Sequence, residues 1–549
     1  MHSNRLISFV ASTLLAVAGC SGGSGGGGSE PPAPAEPISK AEAFQLLNQA
    51  TFGATEADAA RLMDIGAAAW IDDQLRKPAS LQLPFLQALP RPQFLFELQA
   101  DRADIWFRHA LHADDQLRQR VAFALSEIMV VSQLGVLGDL TYSLADYYDV
   151  LARNAFGNYR VLLEEVTLHP AMGMYLSMLG NEKPDPVNNI RPDENYAREL
   201  MQLFSIGLVE LNIDGSVVVD PQGQPVPTYD QAVIEGFAHV FTGWTFDGAV
   251  QFRGAFPNDR NQVQPMQLWP AFHDNGSKAL LNGVVVPAGQ GGAADLRDAL
   301  DNIFNHPNVG PFIATRLIQR LVTSNPSPAY VARVAAVFNN NGAGVRGDLG
   351  AVVKAILLDA EARPAAPRDT TGKLKEPLLR LTQFWRAYDA ASASGRYPLN
   401  YAYIVFGQGP LQAPSVFNFF SPFYAPPGEI RDQQLLAPEF AIATEYLNTF
   451  VTNYSFYQAF LWNHATDPNA AGVTEDTVMI DFAGEEAIAA NPDALIDRIA
   501  GKLLAGQISA ALRTEINGML QRIPADQALL RAAEAIYLVV SSPEFAYQR

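Results

Sequence analysis

Apolar residues recur every three to four positions through most of the chain. Phe44, Leu47 and Ala50 share a face in the first such segment, which begins at Ser39 and stops at Phe52-Gly53. Leu117, Val121, Leu125 and Ile128 do the same in 114–133, and Trp70 and Leu75 turn inward in 56–75. This period belongs to amphipathic helices. It predicts further helices near 96–112, 141–153, 158–168, 294–305, 308–322, 328–340, 348–358, 373–391, 437–462, 483–505, 508–521 and 525–541. Alternation is confined to short stretches near 210–228 and 278–287, which read as small hairpins. The fold class is mainly α: a large irregular multi-helix globular body over 39–549 with small β-hairpin insertions. Residues 246–293 hold few helical periods and many Gly, Pro, Asn and Gln. They suggest a joint between two lobes, 39–245 and 294–549. No internal repeat is found and the spacing is uneven, which argues against a regular solenoid.

Two neighbouring helices stand out. The first is read from Arg191-Pro-Asp-Glu-Asn-Tyr-Ala-Arg-Glu-Leu to Gly207. Pro192 suits a helix start, Asp193 and Glu194 suit the positive end of its dipole, and Gly207 suits a left-handed cap. Tyr196, Leu200, Leu203 and Phe204 form an apolar face. Asn195, Arg198, Glu199 and Gln202 form a polar one. The second helix is expected to open at Thr228, with Gln231 at capping-box spacing, and to end at Gly243. Glu235 and His239 lie four apart on one side of it. The polar face of the first helix reads in three ways: as a solvated surface with a Glu194–Arg198 pair, as a buried network, or as a site lined by Asn195, Arg198 and Glu199.

Composition narrows the setting. With 48% hydrophobic and 17% charged residues the chain is globular rather than disordered. A formal net charge of −19 argues against nucleic acid, whose backbone needs Lys and Arg to displace counterions. It also argues against a basic patch on anionic lipid. Cys20 is the chain's single cysteine, so no internal disulfide forms. It ends Val17-Ala18-Gly19-Cys20, behind Arg5 and an apolar run from Leu6 to Val17. That run suits a signal sequence better than a span. Residues 1–19 are therefore expected to be a lipoprotein signal peptide and Cys20 the lipidation site. Residues 20–38 would be the lipidated cysteine and a Gly/Ser/Pro-rich tether, whose flexible reach is about 20–25 Å. The expected location is the bacterial cell envelope, lipid-anchored, at the outer membrane, with the membrane as one partner.

The run NNIRPDENYARELMQLFSIG, followed by TYDQ and GFAHVFTGWTF, resembles a bacterial family known as domain of unknown function 1800. LLNQATFGAT at 46–55, QLRQRVAFALSEIMVVS at 116–132 and HPNVGPFIATRLIQRLVTSNPSPAYVARVAAVF at 306–338 resemble it too. So do RGDLGAVVKAILLDAEAR at 346–363, GKLKEPLLRL at 372–381, GPLQAPSVFNFFSPFYAPPG at 409–428 and the C-terminal SSPEFAYQR. The resemblance covers nearly everything after residue 40. It implies an exported protein, often encoded beside a second exported family similar to alkaline-phosphatase-type proteins. Family members often carry Arg where this chain has His239. The family's name carries no activity to transfer.

The motifs for zinc proteases, P-loops and nucleophile elbows are absent. Gly342-Ala-Gly344-Val-Arg-Gly347 follows a helix rather than a strand, so it reads as a turn and no nucleotide or dinucleotide cofactor is expected. His109 and His112 read as surface residues near a helix end, and His169 and His306, each before Pro, as turn residues. The best metal candidates are His273 and Asp274, with Glu235 and His239 completing a set for a divalent cation. Catalytic candidates are Glu199, Arg198, Glu194 and Asp274. Binding candidates are Asn195, Gln202, Phe419, Phe420 and Tyr424, the last three from an aromatic run at 416–424 that reads as a core plug or a stacking platform. Two functions follow. One is an envelope lipoprotein that binds or organises an exported protein partner or extracellular polymer. The other is an exported hydrolase, metal-dependent or not, acting on a polymer. Convergence of Arg198, Glu199 and His273 in one pocket would favour the second; scatter or a closed network would favour the first.

Overall fold

Side-chain caps fix where several helices begin. The computed structural model describes residues 38–90, 94–364 and 370–548, so the leader, the tether and Cys20 lie outside the described residues. Ser39 caps α1 (Lys40–Ala50) reciprocally with Glu42. Thr55 caps α2 (Glu56–Ile65), and Gly66, at φ +81°, ends it and opens α3 (Ala67–Arg76). The expected helix over 56–75 is thus two, because Gly66 takes a conformation that breaks the run. After α4 (Leu83–Ala88) come α5 (Leu95–His112) and α6 (Gln116–Ser126). α6 stops well short of the expected end at 133. Ser132 Oγ donates to Ala413 O at 2.6 Å and Gln133 N to Leu411 O at 2.8 Å, which ties this stretch to a distant loop instead.

α7 (Thr141–Asn154), α8 (Tyr159–Leu168) and α9 (Pro170–Tyr175) lead to the central pair. α10 (Asn195–Glu199) starts three residues after Pro192 and continues as a π-helical turn, Leu200–Ser205, before Gly207 closes it at φ +78°. α11 (Gln231–Val240) is capped by Asp230, whose side chain accepts from Val233 N at 3.1 Å. Thr228 is not the cap, because its hydroxyl donates to Gly207 O at 2.6 Å. The meander between the two helices is held by isolated bridges, among them Val219 with Pro225 and Leu211 with Val217.

Among the described residues six two-residue strands pair antiparallel: β1 (Trp244–Thr245) with β2 (Gln267–Leu268), β3 (Lys278–Ala279) with β4 (Val285–Val286), and β5 (Lys373–Leu374) with β6 (Tyr547–Gln548). The remaining helices are α12 (Gly292–Phe304), α13 (Val309–Leu321), α14 (Pro328–Asn339), α15 (Leu349–Leu358), α16 (Pro377–Ala387), α17 (Ala402–Val405), α18 (Glu429–Asp432) and α19 (Glu445–Phe460), then α20 (Ala483–Glu486), α21 (Pro492–Leu503), α22 (Ala510–Leu520), α23 (Ala528–Val540) and α24 (Pro543–Ala546). The protein is mainly α with small β pairs. Gly342, Gly344 and Gly347 all take positive φ in the α14–α15 turn, as their spacing after a helix predicts.

One apolar core runs from Ala43 to Phe545 and takes in residues of both 39–245 and 294–549. Its centre is α6, every residue of which is buried, packed against α13, where Thr315 alone is not. A helix surrounded on all sides belongs to the interior of a large protein. Arg118, Gln119 and Arg120 of α6 must therefore find partners inside, and Arg120 Nη2 donates to Arg320 O at the end of α13 at 2.5 Å. Among the described residues no helix is long and apolar enough to cross a membrane.

Candidate functional site

The polar face of α10 closes on the start of α11. Arg198 donates to Glu194 Oε2 at 2.6 Å and to Gln231 Oε1 at 2.9 Å, while Gln231 Nε2 donates to Glu194 Oε1 at 2.9 Å and Glu235 Oε1 at 3.2 Å. This ring sits at the surface, where such pairs contribute at most about 1 kcal/mol. Asn195 is exposed beside it, its N–H bonded to Asp193. Glu199 turns the other way and is buried, and its Oε2 has no hydrogen-bond partner among the described residues. Burial pushes its carboxyl up, with Arg198 opposing, and its charge adds to the burial that pushes the Tyr175 and Tyr229 phenols up to about 12.

Around α11 the expected metal set does not assemble. His239 Nδ1 pairs with Asp274 Oδ2. Burial works against the Asp274 carboxylate, but Gly276 N–H, His239 and Lys278 together outweigh it and hold the carboxyl low. His273 points elsewhere, fully buried, with Nε2 3.0 Å from Asp295 Oδ2 and Nδ1 2.9 Å from Thr242 O. Lys278 Nζ occupies the cation position on that carboxylate, donating to Asp295 Oδ2 at 2.6 Å and to the carbonyls of Asp274 and Gly276. Glu235 belongs to the surface ring. Among the described residues no group of three or more His, Cys, Asp or Glu side chains is placed to hold a metal ion. The three residues whose convergence would mark a hydrolase, Arg198, Glu199 and His273, thus have separate surroundings. His169 and His306 do serve turns: each accepts a backbone N–H two residues on through Nδ1.

The chemistry that the sequence did not single out lies beneath α13. Arg120, Arg320 and Lys373 meet Glu127, Glu376 and Glu439, all of them buried. Lys373 Nζ is 3.0 Å from Glu439 and 3.2 Å from Glu376, and it donates to the last carbonyls of α13, where a cation is favoured. Gln408 Nε2 bridges the two neighbouring carboxyls, at 3.1 Å from Glu127 Oε1 and 2.6 Å from Glu376 Oε2. Burial pushes Glu127 up to about 8, with Glu376 adding to it and Arg320 opposing. Burial acts on Glu376 too, but Lys373, Arg320 and Arg120 outweigh it and hold that carboxyl at about 2. Glu127 Oε2 has no hydrogen-bond donor among the described residues. A proton on Glu127 would let this carboxyl donate to its neighbour Glu376.

Above this cluster opens a groove of about 450 Å³, within the size range of small-molecule sites. Phe312, Arg316 and Arg320, four residues apart on α13, form one wall. The aromatic run forms the other with Phe417, Phe420 and Phe423. The π-helical turn brings Gln202 and Leu203 to the rim, and Leu208 and Val209 follow it. Glu127 reaches the floor, where Asn418, at φ +65°, approaches it with Nδ2 3.4 Å from Oε1. Arg316 is held between two rings, 5.0 Å from the Phe312 centroid and 4.4 Å from that of Phe423, and Arg320 lies 4.6 Å over Phe420. A second hollow of about 390 Å³ continues past Arg316 toward Gly215 and Val217.

Of the expected binding residues, Gln202 and Phe420 line this groove; Phe419, Tyr424 and Asn195 do not. The aromatic run is both plug and platform: Phe420 is buried at 4% exposure, while Phe417 and Phe423 stay 55% and 67% exposed. Sequence reasoning missed Glu127, Arg316, Arg320, Lys373 and Glu376. The Phe312-Arg316-Arg320 spacing on a mainly apolar helix was the one available signal.

No curated protein and no solved structure matches this chain. The family model described as protein of unknown function (DUF1800) matches residues 45–547. The groove and the charges under it are built from stretches within that match, and the chain belongs to the DUF1800 family of proteins of unknown function.

Proposed function

We propose that this protein is a lipid-anchored lipoprotein of the bacterial cell envelope that works by binding, holding part of an extracellular partner or polymer in the groove between α13 and the 416–423 run. The observation that carries this reading is the groove itself, apolar and open, with a cationic side chain in its wall that no carboxylate of the described residues pairs with. The residues expected to do hydrolysis, Glu194, Arg198, Glu199 and Asp274, each have their own partners or burial and share no cavity wall with it. The anchor is the lipid on Cys20, and the signal-like stretch before it is what supports an envelope location.

Two measurements test this reading. Metabolic labelling with a palmitate analogue should mark the wild-type chain and not Cys20→Ser. Fluorescence of a neutral naphthylamine probe should report binding that Phe423→Asp and Leu208→Asp both reduce at least fivefold. Probe binding that ignores both substitutions removes the groove as the site.

A second reading, hydrolysis, has one observation in its favour: Gln408 joins two neighbouring buried carboxyls whose surroundings push them in opposite directions, burial raising Glu127 and nearby cations holding Glu376 low, as in acid–base pairs. It would make Glu127 the proton donor. Turnover of any envelope polymer that Glu127→Gln abolishes, with probe binding intact, would establish it over pure binding.

A further inference from the structure

Arg316 is the feature of the groove that packing alone leaves unexplained. It is buried to 9% exposure and lines both hollows. Its one hydrogen bond to a described side chain is from Nη1 to Gln319 Oε1 at 2.8 Å. No carboxylate of the described residues pairs with it. Burial, with the neighbouring cation Arg320 adding to it, pushes the guanidinium down to about 9. Arg320 by contrast has Glu127 at 3.5 Å and Glu376 at 4.0 Å. A buried charge without a counter-ion is strongly unfavourable, and two ring faces offset only part of that. An anion entering from the groove would supply that counter-ion.

The walls say what carries the anion. Phe417, Phe423, Leu203, Leu208 and Val209 offer hydrocarbon and ring surface. Besides the two arginines and Glu127, the polar side chains lining the groove are Gln202, Asn418 and Ser421, with Asn418 already directed at Glu127; these are too few for a peptide, which brings an amide N–H and C=O with every residue to be satisfied. A hydrocarbon stem brings none. One unpaired guanidinium, presenting parallel donors, matches one carboxylate.

We infer that the groove binds a hydrocarbon chain ending in a carboxylate, a fatty-acid-like group, with the carboxylate on Arg316 and the stem between Phe423, Phe417 and Leu208. This rests on the groove being the binding site, and the experiment separates the two claims. Cells or membranes carrying the full lipidated chain are photolabelled with a diazirine-bearing dodecanoate and, in parallel, with the corresponding alcohol. The labelled peptides are mapped. The expected result is carboxylate labelling within 202–209 and 416–423, competed by excess dodecanoate and at least tenfold less by dodecanol. Arg316→Gln should lower it at least tenfold, and Arg316→Lys should restore a part. Each variant is checked for an unchanged melting temperature, and for Arg316→Gln retained labelling by the alcohol at low yield shows an intact groove. Equal labelling of these segments by acid and alcohol, unchanged in Arg316→Gln, overturns the carboxylate assignment and leaves the groove standing. Labelling that avoids both segments with either probe overturns the groove as well. Stronger competition by an N-acetylated apolar peptide with a free C-terminus overturns the hydrocarbon stem.

Discussion

Replacing Glu127 by Gln should remove a pH dependence of stability that the wild type carries between pH 4.5 and 8. In the folded protein the Glu127 carboxyl is raised by burial from 4.5 to about 8. Below pH 4.5 both the folded and the unfolded chain hold this proton, and the group's contribution is fully present. Above 4.5 the unfolded chain releases it while the folded chain keeps it, so stability falls as pH rises, until the folded carboxyl also ionises near 8. The limiting slope is about 1.4 kcal/mol per pH unit. Over this window it amounts to roughly 4–5 kcal/mol as an upper bound. Glu376 has the opposite sign: held at about 2, its contribution is present above 4.5 and is lost as pH falls toward 2. The two windows do not overlap, so the pair alone favours stability near pH 4.5. The amide of Glu127→Gln is neutral at every pH and donates to Glu376 as the protonated acid does. Urea midpoints at pH 5, 6.5 and 8 would be compared for both proteins at equal m-values, because other titrating groups cancel in the difference. The variant should match the wild type near pH 5 and exceed it by several kcal/mol at pH 8. Parallel curves across this range would refute a protonated Glu127 and with it the donor role of that carboxyl toward Glu376.

The other substitutions probe separate links. Lys373→Met should destabilise the protein by about 3–5 kcal/mol in urea, because it leaves Glu376 and Glu439 buried without their closest cation. Gly236→Ala should lower the melting temperature sharply, since a Cβ there would lie 1.8 Å from Ala279 O and must push α11 off β3; an unchanged melting temperature would contradict that packing. Arg198→Ala should change stability by less than about 1 kcal/mol and leave groove binding untouched, because its partners form a surface ring. A large loss of binding in Arg198→Ala would return the α10 polar face to the centre of the function.

The helices were legible because burial imposes its period on sequence over ten or more residues. Their ends were less so, and the errors share a cause. Thr228 has the right spacing to cap α11, but Gly207 O takes its hydroxyl and Asp230 caps instead. The residues after Ser126 continue the helical pattern, yet the loop at 411–413 draws Ser132 and Gln133 into its own hydrogen bonds. In both places a partner far away in sequence decided between two locally acceptable conformations. Spacing along one segment carries no information about such partners.

The same limit hid this set of buried charges. Each of its members looks ordinary in its own segment: Glu127 follows a helix, Arg316 and Arg320 read as the polar positions of a helix assigned from its apolar ones, and Lys373 and Glu376 stand just before a proline. What makes them unusual is that α6, α13, the 372–377 turn and the 416–423 run are brought to one place, and that they are buried there. A lone charged side chain carries no pattern that separates a buried position from a solvated one, whereas the polar residues of α10 cluster in sequence. Clustering along one helix face is readily met by surface pairs, as Glu194, Arg198 and Gln231 meet it. A set of carboxyls and cations assembled from distant segments and then buried carries a desolvation cost of several kcal/mol per ion. Arg316 bears that cost with no carboxylate of the described residues beside it. A fold that needed only to stand would meet this position with Leu or Met at similar volume, so the retained charge directs attention to what enters the groove rather than to the helix that first drew the eye.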